Sequence, residues 1–444
     1  MKVVTSEAYS VSEQVETADV IVVGAGPGGA SAAAYLSAHG LDVLLLEKSS
    51  FPRDKICGDG LTPRAVRELI SLGVPIDEAD GWHRTRGLRI LGGGMRLELD
   101  WPANETFPGF GLVRTRHDLD EILARHAVTR GARLLEGINV QEPVLDGRGH
   151  ICGVRAKVMG PDGRPTGERR EFRSRVVVAA DGNSSRLSLA MDRPKRDDRP
   201  MGVAVRAYFE TPRHADPYLE SWLELWARGD DAEKGRGDVL MPGYGWIFPV
   251  GDGTANVGLG ILDTAEEFGT FDYRDVMRRW IATMPEDWTF SEETQQGPIR
   301  GAALPMCFNR QPLYDRGLLL VGDAGGMVNP FNGEGIAEAM ESGRHAAEVI
   351  ASALVRPTPA ETEAVLHSYT AAMKASLGGY YTLGRHFATL IGKPEVMRLA
   401  VRYGLPRRSL MRLLLKIMAN LPQERGGGMD DRVINALSRM TPAA

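Results

Sequence analysis

The sequence predicts an α/β protein in which a Rossmann-type dinucleotide-binding domain carries an inserted antiparallel β-sheet and a C-terminal helical segment. Three observations predict this fold. Residues 19–48 read as a buried strand, a glycine-rich turn, a helix and a second buried strand. Two later buried runs, at 176–180 and 317–321, also end in turns that pair aspartate with glycine. The region between those two turns alternates apolar with polar residues, as antiparallel strands do.

The glycine turn of the first unit has the residues that a dinucleotide site requires. Gly24 makes the tight turn, Gly26 lets the backbone approach a pyrophosphate, and Gly29 lets helix and strand pack closely. The N-terminus of the following helix then faces the phosphates with free N–H groups. Glu47 ends the second strand, where its carboxylate can accept hydrogen bonds from both ribose hydroxyls. A 2′-phosphate would be repelled there, so the pocket is expected to prefer FAD or NAD to NADP.

Composition excludes several classes of protein. The chain has 444 residues, too many for one hydrophobic core, and its net charge of −5 gives no reason to expect nucleic acid. The cysteines at 57, 152 and 307 cannot all pair and lack metal-site spacing, which suits a reducing cytoplasm. No apolar run is long enough to span a membrane, and the N-terminus lacks a signal-peptide core. We therefore expect a cytoplasmic protein with a disordered polar leader at residues 1–17.

A loop with several glycine and proline breaks follows at residues 51–64. It could be a surface connection. It also places the small residues Cys57 and Gly58 close behind the dinucleotide unit, where backbone could approach a flat cofactor ring. At this point the sequence resembles the geranylgeranyl reductase family of flavoproteins, whose CGDG loop lies beside the isoalloxazine. Cys57, Gly58, Asp59 and Gly60 match that loop.

Two further elements extend the resemblance. In related flavoproteins an arginine before a D-x-x-L helix contacts the phosphate or adenine side of the cofactor, and Arg116 matches that position. A simple charge at a helix N-terminus is the alternative. The last of the three turns that follow buried strands opens a helix at Gly335, and its Asp323 is placed to bind a ribityl hydroxyl. The N-terminus of the helix predicted at 336–354 could hold the pyrimidine edge of a reduced flavin.

Three such turns spread over the chain resemble the FAD domain that aromatic hydroxylases, halogenases and geranylgeranyl reductases share, a Rossmann-type fold of the glutathione reductase class. The resemblance covers residues 18–355 and implies FAD as the cofactor. The residues predicted to bind it are Gly24, Ala25, Gly26, Pro27, Gly28, Gly29, Glu47, Lys48, Cys57, Gly58, Asp59, Gly60, Arg116, Val140, Asp181, Gly182, Asp323, Gly335 and Ile336.

The predicted domains follow from these patterns. The FAD-binding domain is discontinuous, with segments 18–84, 103–200 and 301–355. The antiparallel substrate domain takes a glycine-turn hairpin at 85–102 and the segment 201–300, in which 201–209 and 222–226 are predicted strands. The helical region is 356–444.

An aromatic stripe marks the inserted sheet. Tyr244, Trp246 and Phe248 recur at period two, so in a strand they share one face. They could form the core of the sheet or an apolar wall for a long hydrocarbon. Geranylgeranyl reductases carry YxWxFP, then seven or eight residues, then GxG. Here Gly258 and Gly260 follow Pro249 after eight residues. The resemblance therefore favours the substrate wall.

The C-terminal region differs from the rest of the chain in its charge and helical patterning. Residues 385–416 hold eight lysines or arginines and one acid. Residues 406–421 have apolar side chains at helical spacing, with Arg407, Arg408, Arg412 and Lys416 elsewhere on the helix. A basic amphipathic helix of this kind can lie on an anionic membrane surface. It can equally pack as a cap on the FAD domain with its basic face in water.

The resemblance implies a flavin-dependent reductase of polyprenyl double bonds, closest to the actinobacterial branch that includes menaquinone reductase. The expected substrate is one isoprene unit of a menaquinone tail, or else geranylgeranyl diphosphate or a geranylgeranylated lipid. Cys57 is the expected catalytic polar group near the flavin. A flavin monooxygenase or halogenase is one alternative, and a non-catalytic redox sensor is another. No second glycine fingerprint marks a nicotinamide site, so NADPH, ferredoxin and a quinol-linked donor all stay open as electron sources.

Overall fold

Two large β-sheets with flanking helices make up the computed structural model, which describes residues 15–227, 239–264, 268–423 and 426–443. The β-strands are, in chain order, β1 Glu16–Val23, β2 Val43–Leu46, β3 Gly60–Leu61, β4 His83–Thr85, β5 Gly87–Gly92, β6 Met95–Asp100, β7 Gly111–Val113, β8 Arg133–Leu135, β9 Ile138–Leu145, β10 Ile151–Met159, β11 Pro165–Ala179, β12 Met201–Glu210, β13 Tyr218–Trp222, β14 Trp226–Ala227, β15 Val239–Leu240, β16 Gly243–Pro249, β17 Thr254–Leu262, β18 Gln295–Pro305, β19 Tyr314–Asp315 and β20 Leu318–Leu320. The α-helices are α1 Pro27–Ala38, α2 Pro63–Leu72, α3 Arg116–Thr129, α4 Arg186–Ala190, α5 Tyr273–Ile281, α6 Ile336–Leu354, α7 Pro359–Met373, α8 Gly379–Ile391, α9 Pro394–Leu399, α10 Arg408–Met418 and α11 Met429–Met440.

The first sheet is the predicted dinucleotide-binding sheet. Its strand order is β19-β20-β11-β1-β2-β8, and the pairs from β20 to β8 are parallel. The strands are apolar and buried at the centre of the sheet, at residues 20–23 of β1, 43–46 of β2, 176–179 of β11 and 318–320 of β20, as is typical of parallel strands. Helices α1 and α6 approach each other closely at small residues, since a Cβ added at Gly343 would lie 2.5 Å from the Gly28 carbonyl oxygen. The carboxyl ends of β1, β11 and β20, each followed by a predicted glycine turn, therefore meet at one edge.

The second sheet has the order β18-β12-β17-β16-β13-β5-β6. The predicted hairpin is present as β5 and β6, joined by Gly93 and Gly94, which both have positive φ. The sheet is not wholly antiparallel, because β13 pairs in parallel with β5, with Tyr218 opposite Gly87. The parallel pair arises because the hairpin comes from a distant part of the chain and joins the open edge of the inserted strands.

Three predicted boundaries differ from the structure. Strand β1 begins at Glu16, whose carboxylate lies 2.6 Å from Arg133 and 2.9 Å from Arg170, so the predicted leader is too long at its C-terminal end. The rest of that leader, residues 1–14, lies outside the described residues. Strand β18 runs through the predicted boundary at 300 because it pairs with β12 as far as Pro305. The strand predicted at 222–226 instead ends at Trp222, where β13 ends, and β14 begins at Trp226.

The C-terminal helices pack onto both sheets. Helix α7 begins with a capping box formed by Thr358 and Glu361. Helix α10 buries Met411 and Leu415 in a cluster with Ile90 of the β5–β6 hairpin, so it is a packed helix on the second sheet rather than on the FAD domain alone. Of the apolar residues that were predicted to share one face of this helix, Leu410 is 39% exposed. Within the described ranges, the helices are too short or too polar to cross a bilayer.

Candidate functional site

A cavity of about 710 Å³ lies between the two sheets. One end is formed by the glycine turn after β1, and the other by apolar side chains of the second sheet and the C-terminal helices. The predicted binding residues gather on its wall from segments that are far apart in sequence. Those that line it are Gly24, Gly26, Pro27, Gly28, Glu47, Lys48, Cys57, Gly58, Asp59, Gly60, Arg116, Val140, Asp181, Gly182, Asp323, Gly335, Ile336, Tyr244, Trp246 and Phe248.

Ala25 and Gly29 lie just behind this wall. Ala25 is fully buried and donates its N–H to Glu47 Oε2 at 3.0 Å. A Cβ at Gly29 would lie 1.8 Å from the Gly24 carbonyl oxygen, so glycine is required for the close approach of α1 to β1. Gly24 itself has φ +99° and touches the backbone of Ala180. These contacts hold the turn in the geometry that the spacing predicts.

Two arginines face the glycine turn. Arg116 of α3 is held by Asp120, with Nε at 2.5 Å from Oδ1 and Nη2 at 2.8 Å from Oδ2. Arg53 lies 2.9 Å from Asp120 and 3.4 Å from Glu47. A Cβ built on Gly26 would come within 3.8 Å of both guanidinium groups. The site therefore offers guanidinium N–H donors where a pyrophosphate would lie, and Asp120 and Glu47 balance their charge. Sequence reasoning missed Arg53, because a charged residue in a loop carries no spacing signal.

The loop at 57–60 depends on one buried carboxylate. Asp59 has φ +66°, which is unusual for a residue other than glycine. Its Oδ1 accepts the Arg116 N–H at 3.1 Å, and its Oδ2 accepts the Tyr208 hydroxyl at 2.5 Å and Asn256 Nδ2 at 2.8 Å. Burial raises the pKa of Asp59 to about 6, and the donors from Tyr208 and Asn256 oppose that rise. Asp59 thus joins the loop to α3 and to strands β12 and β17.

Asn256 extends this connection to the aromatic stripe. Its Nδ2 donates to the Cys57 carbonyl at 2.8 Å, and its Oδ1 accepts the Trp246 indole N–H at 2.9 Å. The Cys57 thiol accepts the Asp59 N–H at 3.4 Å, and burial raises the pKa of that thiol. The loop and the stripe are therefore fixed relative to each other.

The aromatic stripe faces the cavity. The ring centroids of Tyr244 and Trp246 are 6.1 Å apart, as are those of Trp246 and Phe248. On the other face of β16, Ile247 packs in a cluster with Trp280 of α5. Gly258 is needed beside the stripe, because a Cβ there would lie 2.4 Å from the Trp246 ring. The sheet core is thus on the opposite face, and the stripe forms a cavity wall.

The remaining polar groups fit FAD. Asp181 Oδ1 is buried without a hydrogen-bond partner among the described residues, while its Oδ2 accepts the Arg186 N–H at 3.1 Å. Asp323 lies close to Gly335, the N-cap of α6, since a Cβ at Gly335 would be 3.6 Å from its Oδ1. An unpaired acceptor, two helix N-termini and two arginines suit a ligand with ribityl hydroxyls, a pyrophosphate and a flat polar ring.

The far end of the cavity is apolar. It is lined by side chains of the C-terminal helices and the turns between them, namely Phe387, Ile391, Met397, Leu405, Leu410, Met411, Leu414, Leu415 and Met418. The sequence pattern predicts that these segments are helical, yet it does not place them on the same cavity as the aromatic stripe. The packing of α10 on the β5–β6 hairpin and of Phe387 of α8 on Phe331 brings them there.

Comparison with known proteins agrees with this geometry. Residues 17–375 match the family described as the FAD binding domain. A menaquinone reductase of Mycobacterium tuberculosis is 33% identical over 430 residues, which are 95% of this chain and 98% of that protein. A digeranylgeranylglycerophospholipid reductase of Methanopyrus kandleri is 31% identical over 349 residues, 76% of this chain and 77% of that protein. A geranylgeranyl bacteriochlorophyll reductase-like protein of Thermoplasma acidophilum has a crystal structure that superposes with a TM-score of 0.72 at 23% identity, covering 96% of this chain and 100% of that one. The cofactor is FAD.

The hydrogen bonds of Asp59 predict that a substitution at Tyr208 changes the free energy of unfolding in a pH-dependent way. Replacing Tyr208 by Phe removes a donor to the ionised carboxylate and raises the pKa of Asp59 further. Above pH 7, where Asp59 is ionised, the apoprotein should lose about 1–2 kcal/mol of unfolding free energy. Below pH 5 the carboxyl is protonated in both proteins, so the charge-dependent part of the loss should vanish. Denaturant unfolding at both pH values measures this.

Tyr218→Phe is the matched control for this experiment. Tyr218 lies in the same sheet and donates to Asp100 at 2.8 Å, but that carboxylate is half exposed. We expect a loss below about 0.5 kcal/mol at either pH. An equal loss in the two variants, or a loss from Tyr208→Phe that does not change with pH, would contradict the role of Asp59.

Proposed function

We propose that this chain, which belongs to the FAD-dependent family that contains the menaquinone reductases, saturates carbon–carbon double bonds of a polyprenyl chain. The preferred substrate is one isoprene unit of a menaquinone tail, with a geranylgeranyl group as the other candidate. The observation that carries the proposal is the aromatic wall of Tyr244, Trp246 and Phe248, which stands beside the 57–60 loop and leads into the apolar end of the cavity. Relatives named as reductases of such lipids support it.

Reduction of an isolated alkene requires the protein to position the double bond and to exclude water. Bound FAD in its reduced form supplies a hydride. An isolated alkene has no carbonyl to polarise, so the protein must hold the double bond against the flavin ring and exclude water. The apolar cavity wall excludes water. The three aromatic rings position the isoprene unit, and their faces also stabilise positive charge that develops on the alkene.

The central test is anaerobic. The purified flavoprotein is reduced with dithionite, which replaces the physiological donor, for which NADPH and ferredoxin are candidates. Menaquinone, geranylgeranyl diphosphate or a geranylgeranyl lipid is then added, and products are analysed by mass. We expect one of them to gain two hydrogen atoms per reduced double bond, together with re-oxidation of the flavin. Product that forms only in air and carries added oxygen or halogen would contradict the proposal and favour a monooxygenase or halogenase.

The catalytic role of Cys57 stays a prediction. Its thiol lines the cavity in the loop that the family resemblance places beside the flavin ring. We expect Cys57→Ala to lower the rate of alkene reduction by about tenfold, an effect of about 1.4 kcal/mol on the barrier, without loss of bound flavin. Cys152→Ala, in strand β10 and outside the cavity lining, is the control. Full turnover by Cys57→Ala would reduce this residue to a packing role.

The proposed substrate is a membrane lipid, and the C-terminal helices offer a surface for it. Leu399 and Tyr403 are 56% and 49% exposed, next to the cavity-lining residues Met397 and Leu405. Around them lie exposed cations, namely Lys393, Arg398, Arg402, Arg407 and Arg412. We propose that this surface contacts an anionic membrane, so that a polyprenyl tail enters the cavity directly.

In the structure, the cations predicted from the sequence are not all available to contact a membrane. Lys416 is 2.5 Å from Asp430, so its charge is paired, and Arg408 is held against the β5–β6 hairpin by its hydrogen bond to the Glu98 carbonyl, whereas Arg407 donates to the carbonyl of Tyr403 within the exposed surface itself. Replacing Arg402, Arg407 and Arg412 by Ser should weaken binding to vesicles containing phosphatidylglycerol on the order of 100-fold at low salt, at about 1 kcal/mol per charge. Arg148, Arg164 and Arg274, exposed elsewhere, form the control triple. Equal binding of both triples in a flotation assay would exclude this membrane surface.

A further inference from the structure

Two neighbouring glutamates flank the N-terminus of α6, and the mechanism above does not use them: Glu334 lies two residues before the helix begins at Ile336, and Glu338 lies in its first turn. Glu334 lines the cavity, and both its carboxylate oxygens are 2.9 Å from the Thr62 hydroxyl. Glu338 is fully buried. Neither of its carboxylate oxygens has a hydrogen-bond partner among the residues that the structure describes. A buried carboxylate without a partner is costly when ionised, so protonation is the favoured response.

The cation that faces the pair is already engaged. Arg64 of α2 is 2.6 Å from Glu341 and donates to the Asn420 carbonyl at 3.0 Å. Its charge holds the pKa of Glu341 at about 2, far below the ordinary value. The one carboxylate of α2, Glu68, is paired with Arg67 at 2.8 Å. The charges of α2 and α6 are therefore balanced without Glu334 and Glu338.

The other neighbours of the pair are neutral phenols and a thiol. Tyr380 and Tyr381 of α8 lie near Glu338, and Tyr244 and Cys57 lie toward Glu334; burial raises the pKa of all four. Burial also raises the pKa of Glu334 to about 7, and that of Glu338 well above its ordinary value. Two neighbouring buried carboxyl groups cannot both ionise easily. The pair therefore holds at least one proton at neutral pH.

Glu334 stands where that proton can be used. Its N–H donates to the Asn332 side chain at 2.9 Å, and the Asn332 carbonyl accepts the Tyr244 hydroxyl at 2.5 Å. Its partner Thr62 follows the 57–60 loop by two residues. Glu334 therefore lies between the aromatic wall and the loop assigned to the flavin ring, which is where the proposed function places the alkene.

Other proton sources in this part of the cavity are weaker. The raised pKa values of Cys57 and Tyr244 make both groups poor acids at neutral pH. Asp59 is acidic enough, but three donors from three elements occupy its oxygens. A general acid is most effective when its pKa lies near the working pH, and Glu334 meets that condition as well as the geometric one.

We propose that Glu334 donates the proton that completes alkene reduction, with Glu338 as the positioning residue that keeps a neutral acid in this place. This inference rests on the proposed function. One alkene carbon receives hydride from the reduced flavin, and the other receives the Glu334 proton. The C=C π bond, the Glu334 O–H bond and the bond that held the hydride in the reduced flavin break as two C–H bonds form, and the flavin is left oxidised by two electrons. Glu334 is left as a carboxylate and regains a proton from water before the next turnover.

The test is single-turnover reduction by the flavin-loaded enzyme. Glu334→Gln keeps the shape and cannot donate an acidic proton, so alkene reduction should slow by at least about 100-fold, while flavin content and reduction by dithionite stay unchanged. Glu334→Asp should recover part of the rate. In wild type the rate should fall as pH rises through about 7, because Glu334 loses its proton. Glu348→Gln, on an exposed part of α6, is the control and should keep both the rate and the pH profile.

A second readout does not depend on turnover. Infrared difference spectra of the apoprotein between pH 6 and pH 9 should show carboxylic acid bands from Glu334, with its pKa of about 7, and from Asp59, with its pKa of about 6; Glu334→Gln should remove one of these bands and Glu348→Gln should keep both. A full rate in Glu334→Gln would overturn the assignment and leave the proposed function intact. An unchanged infrared band would overturn it too. If wild type reduces no prenyl substrate while the band behaves as expected, the proposed function fails instead.

Discussion

The architecture of the site depends on the burial of one carboxylate, Asp59, among donors from three different elements. The donors come from α3, β12 and β17, which are far from the loop in sequence. Because a buried carboxylate without partners is strongly disfavoured, the loop, helix α3 and the second sheet must adopt their relative positions together. The cofactor side and the substrate side of the cavity are thereby fixed to each other by one group.

The cost of burying a carboxylate without donors also determines the protonation state of Glu338 in the first turn of α6. Asp59 has enough donors to be held as an anion near neutral pH, whereas Glu338 has none among the described residues. Two buried acids are thus set to different protonation states by the number of donors that surround each of them. Such a division of labour between carboxyl groups is typical of enzymes that must both order a cofactor loop and supply a proton.

Local sequence patterns were sufficient to predict the dinucleotide unit. The turn at Gly24 to Gly29 has a fixed spacing, because each glycine answers a steric demand within a few residues of itself. The same holds for the hairpin at Gly93 and for the face shared by Tyr244, Trp246 and Phe248, which follow from turn geometry and from the period of a strand. The fold class and the cofactor are confirmed. The binding roles of the individual residues stay predictions, although the structure gathers most of them on one cavity.

The features that sequence reasoning missed depend on long-range packing. Arg53, Thr62 and Glu334 sit in loops where no periodicity identifies a charged or polar residue as buried. The parallel pairing of β13 with β5 was missed because nothing local reports which edge a distant hairpin joins. The start of β1 at Glu16 depends on arginines more than 100 residues away. In each case the deciding partner is distant in the chain.

The packing of α10 on the β5–β6 hairpin has a consequence for biosynthesis. The contacts that close the cavity join residues such as Arg408 and Glu98, which are 310 positions apart, and Arg64 and Asn420, which are 356 apart. During translation the glycine turn and both sheets leave the ribosome well before the segment that covers their shared apolar face. Until that segment arrives, a nascent chain exposes a hydrophobic trough, which is the kind of surface that chaperones recognise. A chain that terminates near residue 400 would therefore be an aggregation-prone folding intermediate, not a folded enzyme with a lower rate.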